Sequence, residues 1–225
     1  MKQISIAIDG PAGAGKSTLA RRLAETLGYL YVDTGAIYRT VALKMLQAGV
    51  NVEIPEQVIP LLREMDIRLE YGSDGSQRML LEGEDVSQAI RAHRVSGLAS
   101  KVAAIPEVRA FLLDFQRRLA KEHSVVMDGR DIGTVVLPQA DVKIFLTAAP
   151  QARAQRRLLE LELRGESADF ETILRDIIQR DEQDRSRTVA PLRQAEDALL
   201  LDTTQLNLEE SFQALMAIVK EKINL

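Results

Sequence analysis

Gly10–Pro11–Ala12–Gly13–Ala14–Gly15–Lys16–Ser17 decides how the 225-residue chain is read. A glycine, four residues, a second glycine, a lysine and a hydroxyl residue make the phosphate-loop spacing. Glycines at these places let the backbone curl, so that successive amide N–H groups point into one concavity suited to a polyphosphate. Lys16 would reach the β and γ phosphates as a mobile point charge. Ser17 would offer its hydroxyl to Mg²⁺, and a helix beginning at Gly15 adds the positive end of its dipole. Before the loop, Ile4–Ser5–Ile6–Ala7–Ile8 is a short, largely β-branched run that reads as a buried parallel strand. After it, Ser17 to Leu27 carries apolar residues at helical spacing and stops at Gly28, a C-cap signal. Strand, glycine loop and helix follow in the order an anion site requires.

Further along, Tyr29–Leu30–Tyr31–Val32 reads as a second strand, and Asp33 or Thr34 caps a helix from about Ala36 to Gln47. Asn51 to Pro60 holds two prolines and marks a loop or the start of a short helix. The rhythm then changes. Ile67–Tyr71 and Arg78–Glu82 flank Gly72–Ser73–Asp74–Gly75–Ser76, a hairpin signal foreign to a βαβ alternation. We read 62–103 as a small inserted subdomain, with 1–61 and 104–225 as the core. Pro106 opens a helix to about His123, and Ser124–Val125–Val126–Met127–Asp128 is a strand ending in a carboxylate. Asp141–Leu146 is another strand, followed by helices at about Pro150–Arg164 and Phe170–Arg185. Ala198–Leu201 is the last core strand, and Asn207 caps a final helix from Leu208 to about Lys222. Five parallel-type strands alternating with helices predict an α/β fold with a doubly wound sheet.

Composition narrows the class. Hydrophobic residues make up 46% of the chain and aromatics 4%, so an adequate core must be aliphatic. A net charge of −4 argues against broad nucleic-acid binding, so an anionic ligand must be held by locally clustered arginines. Absence of cysteine excludes disulfides and thiolate metal sites and fits a reducing compartment. Met1–Lys2–Gln3 leads straight into the first strand, and no stretch approaches membrane-spanning length. The expectation is a cytoplasmic protein with neither a membrane nor a nucleic-acid partner.

Three stretches place charge where solvation alone explains it poorly. Asp33–Thr34–Gly35–Ala36–Ile37–Tyr38–Arg39 follows the second strand, and ligands of open α/β sheets bind beyond the carboxyl ends of strands. Arg39 would fork onto a phosphate, with Thr34 and Tyr38 as hydrogen-bond donors. Asp128–Gly129–Arg130–Asp131–Ile132–Gly133 is a tight turn with two carboxylates around one arginine, and Asp128 ends an apolar strand as a metal-orienting acid does. Arg180, Asp184 and Arg187 fall at i, i+4 and i+7, on one predicted helix face. Arg153 and Arg157 form a similar pair after Pro150, on helices that would close over reacting phosphates. His93 and His123 sit in no metal spacing and receive no role.

The phosphate loop, Asp33–Arg39, Asp128 to Val136 (DGRDIGTVV) and Arg180 to Pro191 (RDEQDRSRTVAP), in this order, resemble the bacterial cytidylate kinases over essentially the whole chain. That resemblance implies transfer of the γ-phosphoryl of ATP to CMP or dCMP with Mg²⁺, in pyrimidine nucleotide metabolism; a monomer is expected. It makes 62–103 the nucleoside-monophosphate-binding insert and about 150–168 a short helical lid. Gly10, Pro11, Ala12, Gly13, Ala14, Gly15, Lys16, Ser17 and Thr18 would hold ATP, and Ser17 the metal. Lys16, Asp128, Arg130, Arg153 and Arg157 would serve the transfer. Arg39 and Arg130 would bind the CMP phosphate, Tyr38 would line the acceptor site, and Ser100, Arg109 and Asp131 would read the cytosine edge. Arg180, Asp184 and Arg187 would contact the acceptor's sugar and phosphate. Thr34 stands where the family often has serine; it keeps the hydroxyl and adds a methyl near the sugar.

Two other classes share the loop. A GTPase-like switch needs a guanine-reading N-K-x-D stretch after a core strand, and Thr147–Ala148–Ala149–Pro150 after Leu146 is not one. A shikimate-type small-molecule kinase has no need of the 66–85 insert or of the Arg180–Arg187 stripe.

Overall fold

A computed structural model describes residues 3–72 and 75–223. Met1–Lys2, read as a lead-in to the first strand, and Ser73–Asp74 of the expected hairpin turn lie outside the described residues. In chain order the elements are β1 (Ser5–Asp9), α1 (Lys16–Leu27), β2 (Leu30–Asp33), α2 (Thr34–Gln47), α3 (Pro55–Glu64), β3 (Ile67–Tyr71), β4 (Gln77–Leu81) and β5 (Glu84–Asp85). A 3₁₀ turn (Ala89–Arg91), α4 (His93–Val102), α5 (Pro106–Glu122), β6 (Val125–Gly129) and a π-helical turn (Ile132–Val136) follow. The chain closes with β7 (Val142–Thr147), α6 (Pro150–Leu163), α7 (Phe170–Arg185), β8 (Leu199–Asp202) and α8 (Leu208–Ile223).

The chain divides into two compact units, one made by the chain up to Tyr31 and from Glu122 onward, the other by Val32–Lys121. The principal sheet has the order β2-β6-β1-β7-β8, so β1, which feeds the glycine loop, is central. β1 pairs in parallel with β6 (Ile6 opposite Val126) and with β7 (Ile6 opposite Val142), and β7 pairs in parallel with β8. A strand covered on both faces must be apolar throughout, and Ile6, Ala7 and Ile8 are fully buried. Helices α1 and α8 supply the matching face, with Leu19, Leu23, Leu215 and Val219 in one cluster with Ile6, Ile8, Val126, Ile144 and Leu146. That core is aliphatic, as the shortage of aromatics requires. Asn207 caps α8 reciprocally: Glu210 N–H donates to Asn207 Oδ1 (2.9 Å), and Asn207 N–H donates to Glu210 Oε2 (2.8 Å).

In the second unit, β3 and β4 form the expected antiparallel hairpin, with Ile67 opposite Leu81 and Tyr71 opposite Gln77. A third strand, β5, pairs with β4 and was not visible beforehand, since Glu84–Asp85 is two charged residues long. Asp33 caps α2 by accepting from Ala36 N–H (2.9 Å), which resolves the choice between Asp33 and Thr34. The boundaries expected at 62 and 103 fall inside this unit. It also takes in α5, and α2, which packs on α4 and buries Ile37, Val41 and Met45 together with Val95, Ala99 and Val102. Among the described residues no helix is long and apolar enough to cross a membrane.

Candidate active site

The loop between β1 and α1 takes the conformation that its glycines permit. Gly10 has φ 151°, and a Cβ there would stand 1.9 Å from the Leu146 carbonyl oxygen, so only glycine lets the loop leave the sheet at this point. Gly15 caps α1 in the left-handed region (φ 89°) and offers no side-chain acceptor to the first-turn amides. Uncapped first-turn N–H groups of this kind are the arrangement that suits an anion at a helix N-terminus.

Lys16 is buried, and its ammonium donates to the Pro11 carbonyl (2.8 Å). Burial pushes its pKa well down, the Arg130 guanidinium adds to this, and Asp128, Asp9 and Asp184 oppose it. A polyphosphate on the loop would restore the charged form. Ser17 Oγ donates to Asp128 Oδ2 (2.9 Å), and the Tyr31 hydroxyl donates to Asp128 Oδ1 (2.9 Å). The hydroxyl and the carboxylate expected to serve a metal are thus hydrogen-bonded partners, and both are hard oxygen donors of the kind magnesium takes beside phosphate oxygens.

Beyond β6 the chain turns sharply, and Arg130 and Asp131 sit in the turn. Asp9, at the end of β1, accepts from Ile132 N–H and Gly133 N–H, each at 2.7 Å. Burial pushes Asp9 up to about 7, with the two amides and Lys16 pulling down and Asp131 pushing up.

Arg130 Nε donates to Asp184 Oδ2 (2.8 Å), while Arg187 Nη2 donates to Asp184 Oδ1. Burial alone would raise Asp184, but Arg130, Arg187 and Arg180 outweigh it and hold the carboxyl below the ordinary value of 3.8. The three-residue helical stripe needs one correction. α7 ends at Arg185, so Arg187 lies past the helix and meets Asp184 as an i, i+3 pair. A group depressed in the fold stabilises it above the unfolded value and loses that contribution as pH falls through its native value. Melting temperature is therefore expected to fall as pH drops below 3.8. Asp184→Asn should flatten that part of the profile; an unchanged acid limb in the variant would remove Asp184 from it.

Arg153 and Arg157, paired in the sequence reading, part company. Arg153 is 2% exposed and fully engaged: Nε donates to Ala148 O (2.8 Å), Nη1 to Ala12 O (2.9 Å), and Nη1 and Nη2 form a two-point bridge to Asp181 (3.0 and 2.5 Å). It ties α6 and α7 to the phosphate loop. Arg157 is exposed and paired with Glu160.

Within the second unit, Thr34 and Tyr38 are buried on α2, and the Arg109 guanidinium lies 5.6 Å from the centre of the Tyr38 ring. Arg109 Nη1 also donates to the Ala103 carbonyl (3.2 Å). Arg39 Nη2 meets Asp33 Oδ2 (2.9 Å), and Arg39 Nε is buried without a hydrogen-bond partner among the described residues. Ser100 is half-buried on α4. The histidines, His93 and His123, are exposed.

Sequence reasoning missed Asp9, Asp181 and Tyr31. Asp9 had the better signal, since a carboxylate at the end of an otherwise apolar strand must find donors. Asp181 was hidden among the charges of a helix that reads as solvated, and only packing shows it buried (4% exposed).

Residues 6–221 match the cytidylate kinase family. The cytidylate kinase of Caldicellulosiruptor saccharolyticus is 50% identical over 218 residues, 97% of this chain and 96% of that one. The cytidylate kinase of Klebsiella pneumoniae is 48% identical, again covering 97% and 96%. Among solved structures, an uncharacterized protein from Eubacterium ventriosum aligns with TM-score 0.52 and 15% identity over 99% of this chain and all of that one, a likeness of fold alone. The glycine loop on the central strand, the acid beside its serine and the arginine cluster thus stand in a chain whose relatives match it end to end, and the chain belongs to the cytidylate kinase family of nucleoside monophosphate kinases.

Proposed function

We propose that the protein transfers the γ-phosphoryl of ATP to CMP or dCMP, giving ADP and CDP or dCDP. The observation that carries this reading is the clustering, within one unit, of Lys16, the Ser17–Asp128 pair and the Arg130–Asp184–Arg187 network. Phosphoryl transfer needs two anionic groups held in line with their charge neutralised, rather than covalent help. An oxygen of the CMP phosphate forms the new bond to the γ phosphorus while the bond to the β–γ bridging oxygen breaks. No general base is needed, since the nucleophile is already an anion.

The amides of Gly10 to Thr18 hold the ATP phosphates, and Lys16 follows the charge onto the transferring group. Ser17 and Asp128 would hold magnesium, which would supply charge neutralisation at the phosphate oxygens. Arg130, Arg180 and Arg187 meet the acceptor's phosphate and sugar, with Asp184 fixing two of these guanidinium groups. Arg39 is the second unit's candidate for binding phosphate, since its unsatisfied buried Nε is a donor that an anion would satisfy. Tyr38 and Thr34 line the acceptor, while Ser100, Arg109 and Asp131 read the base. Cytosine and uracil reverse a donor and an acceptor at N3 and at position 4, so a site built for one leaves buried polar groups unpaired against the other. Residues 62–103 act as the acceptor-binding insert and about 150–168 as the lid. Within that lid Arg157 is the mobile cation, because an exposed ion pair costs little to break. Arg153 contributes through the loop it holds. The lack of cysteine supports a cytoplasmic setting, with the nucleotides as partners of a monomer.

ADP release from ATP, with CMP, UMP, AMP and shikimate offered separately, tests the reading. Turnover should favour CMP; activity confined to shikimate, or hydrolysis indifferent to any acceptor, would refute it. Asp131→Ala should raise KM for CMP about 10-fold or more, the worth of a hydrogen bond to a charged group, and leave KM for ATP nearly unchanged. Equal damage to both substrates would make Asp131 a structural partner instead.

A further inference from the structure

We infer that Asp9 is a positioning residue for acceptor recognition, acting through the backbone of the Asp128–Gly133 turn. The inference deepens the cytidylate kinase reading and rests on it for the roles of Arg130 and Asp131. Asp9 ends β1, the strand that launches the donor's phosphate loop one residue later. Its side chain points the other way in function. Both carboxylate oxygens are spent on the neighbouring turn, one on Ile132 N–H and one on Gly133 N–H, each at 2.7 Å. The bonded amides directly follow Asp131 and open the π-helical turn, a form that lacks the regular bonds of an α-helix at its start.

Consider what holds Arg130 and Asp131. Asp131 is backed from the helical side by the bonds from Val135 and Val136 N–H to its carbonyl (2.9 and 3.2 Å). Arg130 is held at its side chain by Asp184. From the sheet side, the backbone between them and the π turn is held by Asp9, which is 5% exposed and therefore shielded from competing water. Two charge-assisted bonds from one buried carboxylate fix a peptide plane more tightly than solvent-facing contacts do. An ångström of drift in this turn displaces a base-reading carboxylate and a phosphate-binding guanidinium together, the kind of displacement that lowers turnover strongly. The donor loop's backbone has its own supports, the Gly10 approach to Leu146 and the Arg153 bond to Ala12 O, neither of which passes through Asp9; Asp9 reaches Lys16 only as one of several charges.

Asp9→Asn tests this, since the amide keeps the shape but accepts only one of the two bonds. The expected result is a rise in KM for CMP of about 10-fold, the loss of one charge-assisted bond, with Kd for ATP within about threefold of the parent. Asp9→Ala should raise KM for CMP further. Equal loss for CMP and ATP, or no loss for either, would overturn the inference. Amide hydrogen exchange on the unaltered protein supplies a readout that needs no variant to fold. Ile132 and Gly133 should exchange slowly, and more quickly in Asp9→Asn; rapid exchange of both in the parent would refute the proposed hold on the turn. Should the parent fail to phosphorylate CMP, the kinase reading fails by that assay, while the exchange data still decide whether Asp9 holds the turn.

Discussion

Lys16→Ala is expected to lower kcat about 100-fold or more, comparable to losing one preorganised charge-stabilising donor. That corresponds to about 2.7 kcal/mol of transition-state stabilisation. The expectation follows from where the ammonium is kept. Buried, hydrogen-bonded to Pro11 O and pushed toward neutrality by burial and Arg130, Lys16 is held in a place that becomes favourable for its charge only when phosphate oxygens arrive. Two observations check this. Turnover of the variant should collapse while its melting temperature stays near the parent's, since the hydrogen bond Lys16 makes among the described residues is to its own loop. ATP binding to the parent at mildly alkaline pH should take up protons, visible in calorimetry as a dependence of the heat on the buffer's ionisation enthalpy. Near-parental turnover of Lys16→Ala would remove the residue from the mechanism.

The second large effect is on stability. Asp181→Ala should destabilise the protein by about 3–5 kcal/mol, the cost of stranding a buried charge when its partner is deleted. Arg153 would keep its bonds to Ala148 O and Ala12 O but would lose both points of its carboxylate bridge, at 2% exposure. At about 2–4 °C per kcal/mol for a chain of this size, the melting temperature should fall by roughly 10 °C. The double variant Arg153→Met with Asp181→Leu should recover much of the loss, because it removes the charge along with its partner. Since Arg153 holds the Ala12 carbonyl, Asp181→Ala should also weaken ATP binding more than CMP binding. A loss below about 1 kcal/mol, the range of an exposed pair, would show that water reaches this bridge.

Most of the fold was legible because its signals are local. β1, the glycine loop and α1 are consecutive and carry their own periodicity, and the other core strands are short apolar runs between turn residues. The candidate stretches Asp33–Arg39 and Asp128–Gly133 stand out for another reason: each begins where a core strand ends, and an α/β sheet collects ligands at that edge. Arg153 was not legible. Its spacing to Arg157 suggested two lid cations alike, yet one is buried against Asp181 and the other pairs with Glu160 in solvent. A four-residue spacing tells which helix face two side chains share and says nothing of what that face meets.

From sequence alone came the core strands, most of the helices and the phosphate-loop spacing, because each depends on neighbours within a few positions. Tertiary structure decided which carboxylate answers which cation: Asp184 to Arg130 and Arg187, Asp181 to Arg153, Asp9 to two amides of a distant turn. Except for Asp184 with Arg187, these partners lie 28 to 124 residues apart. Burial sets the worth of a charge, and burial is a property of the packed chain that no local pattern carries.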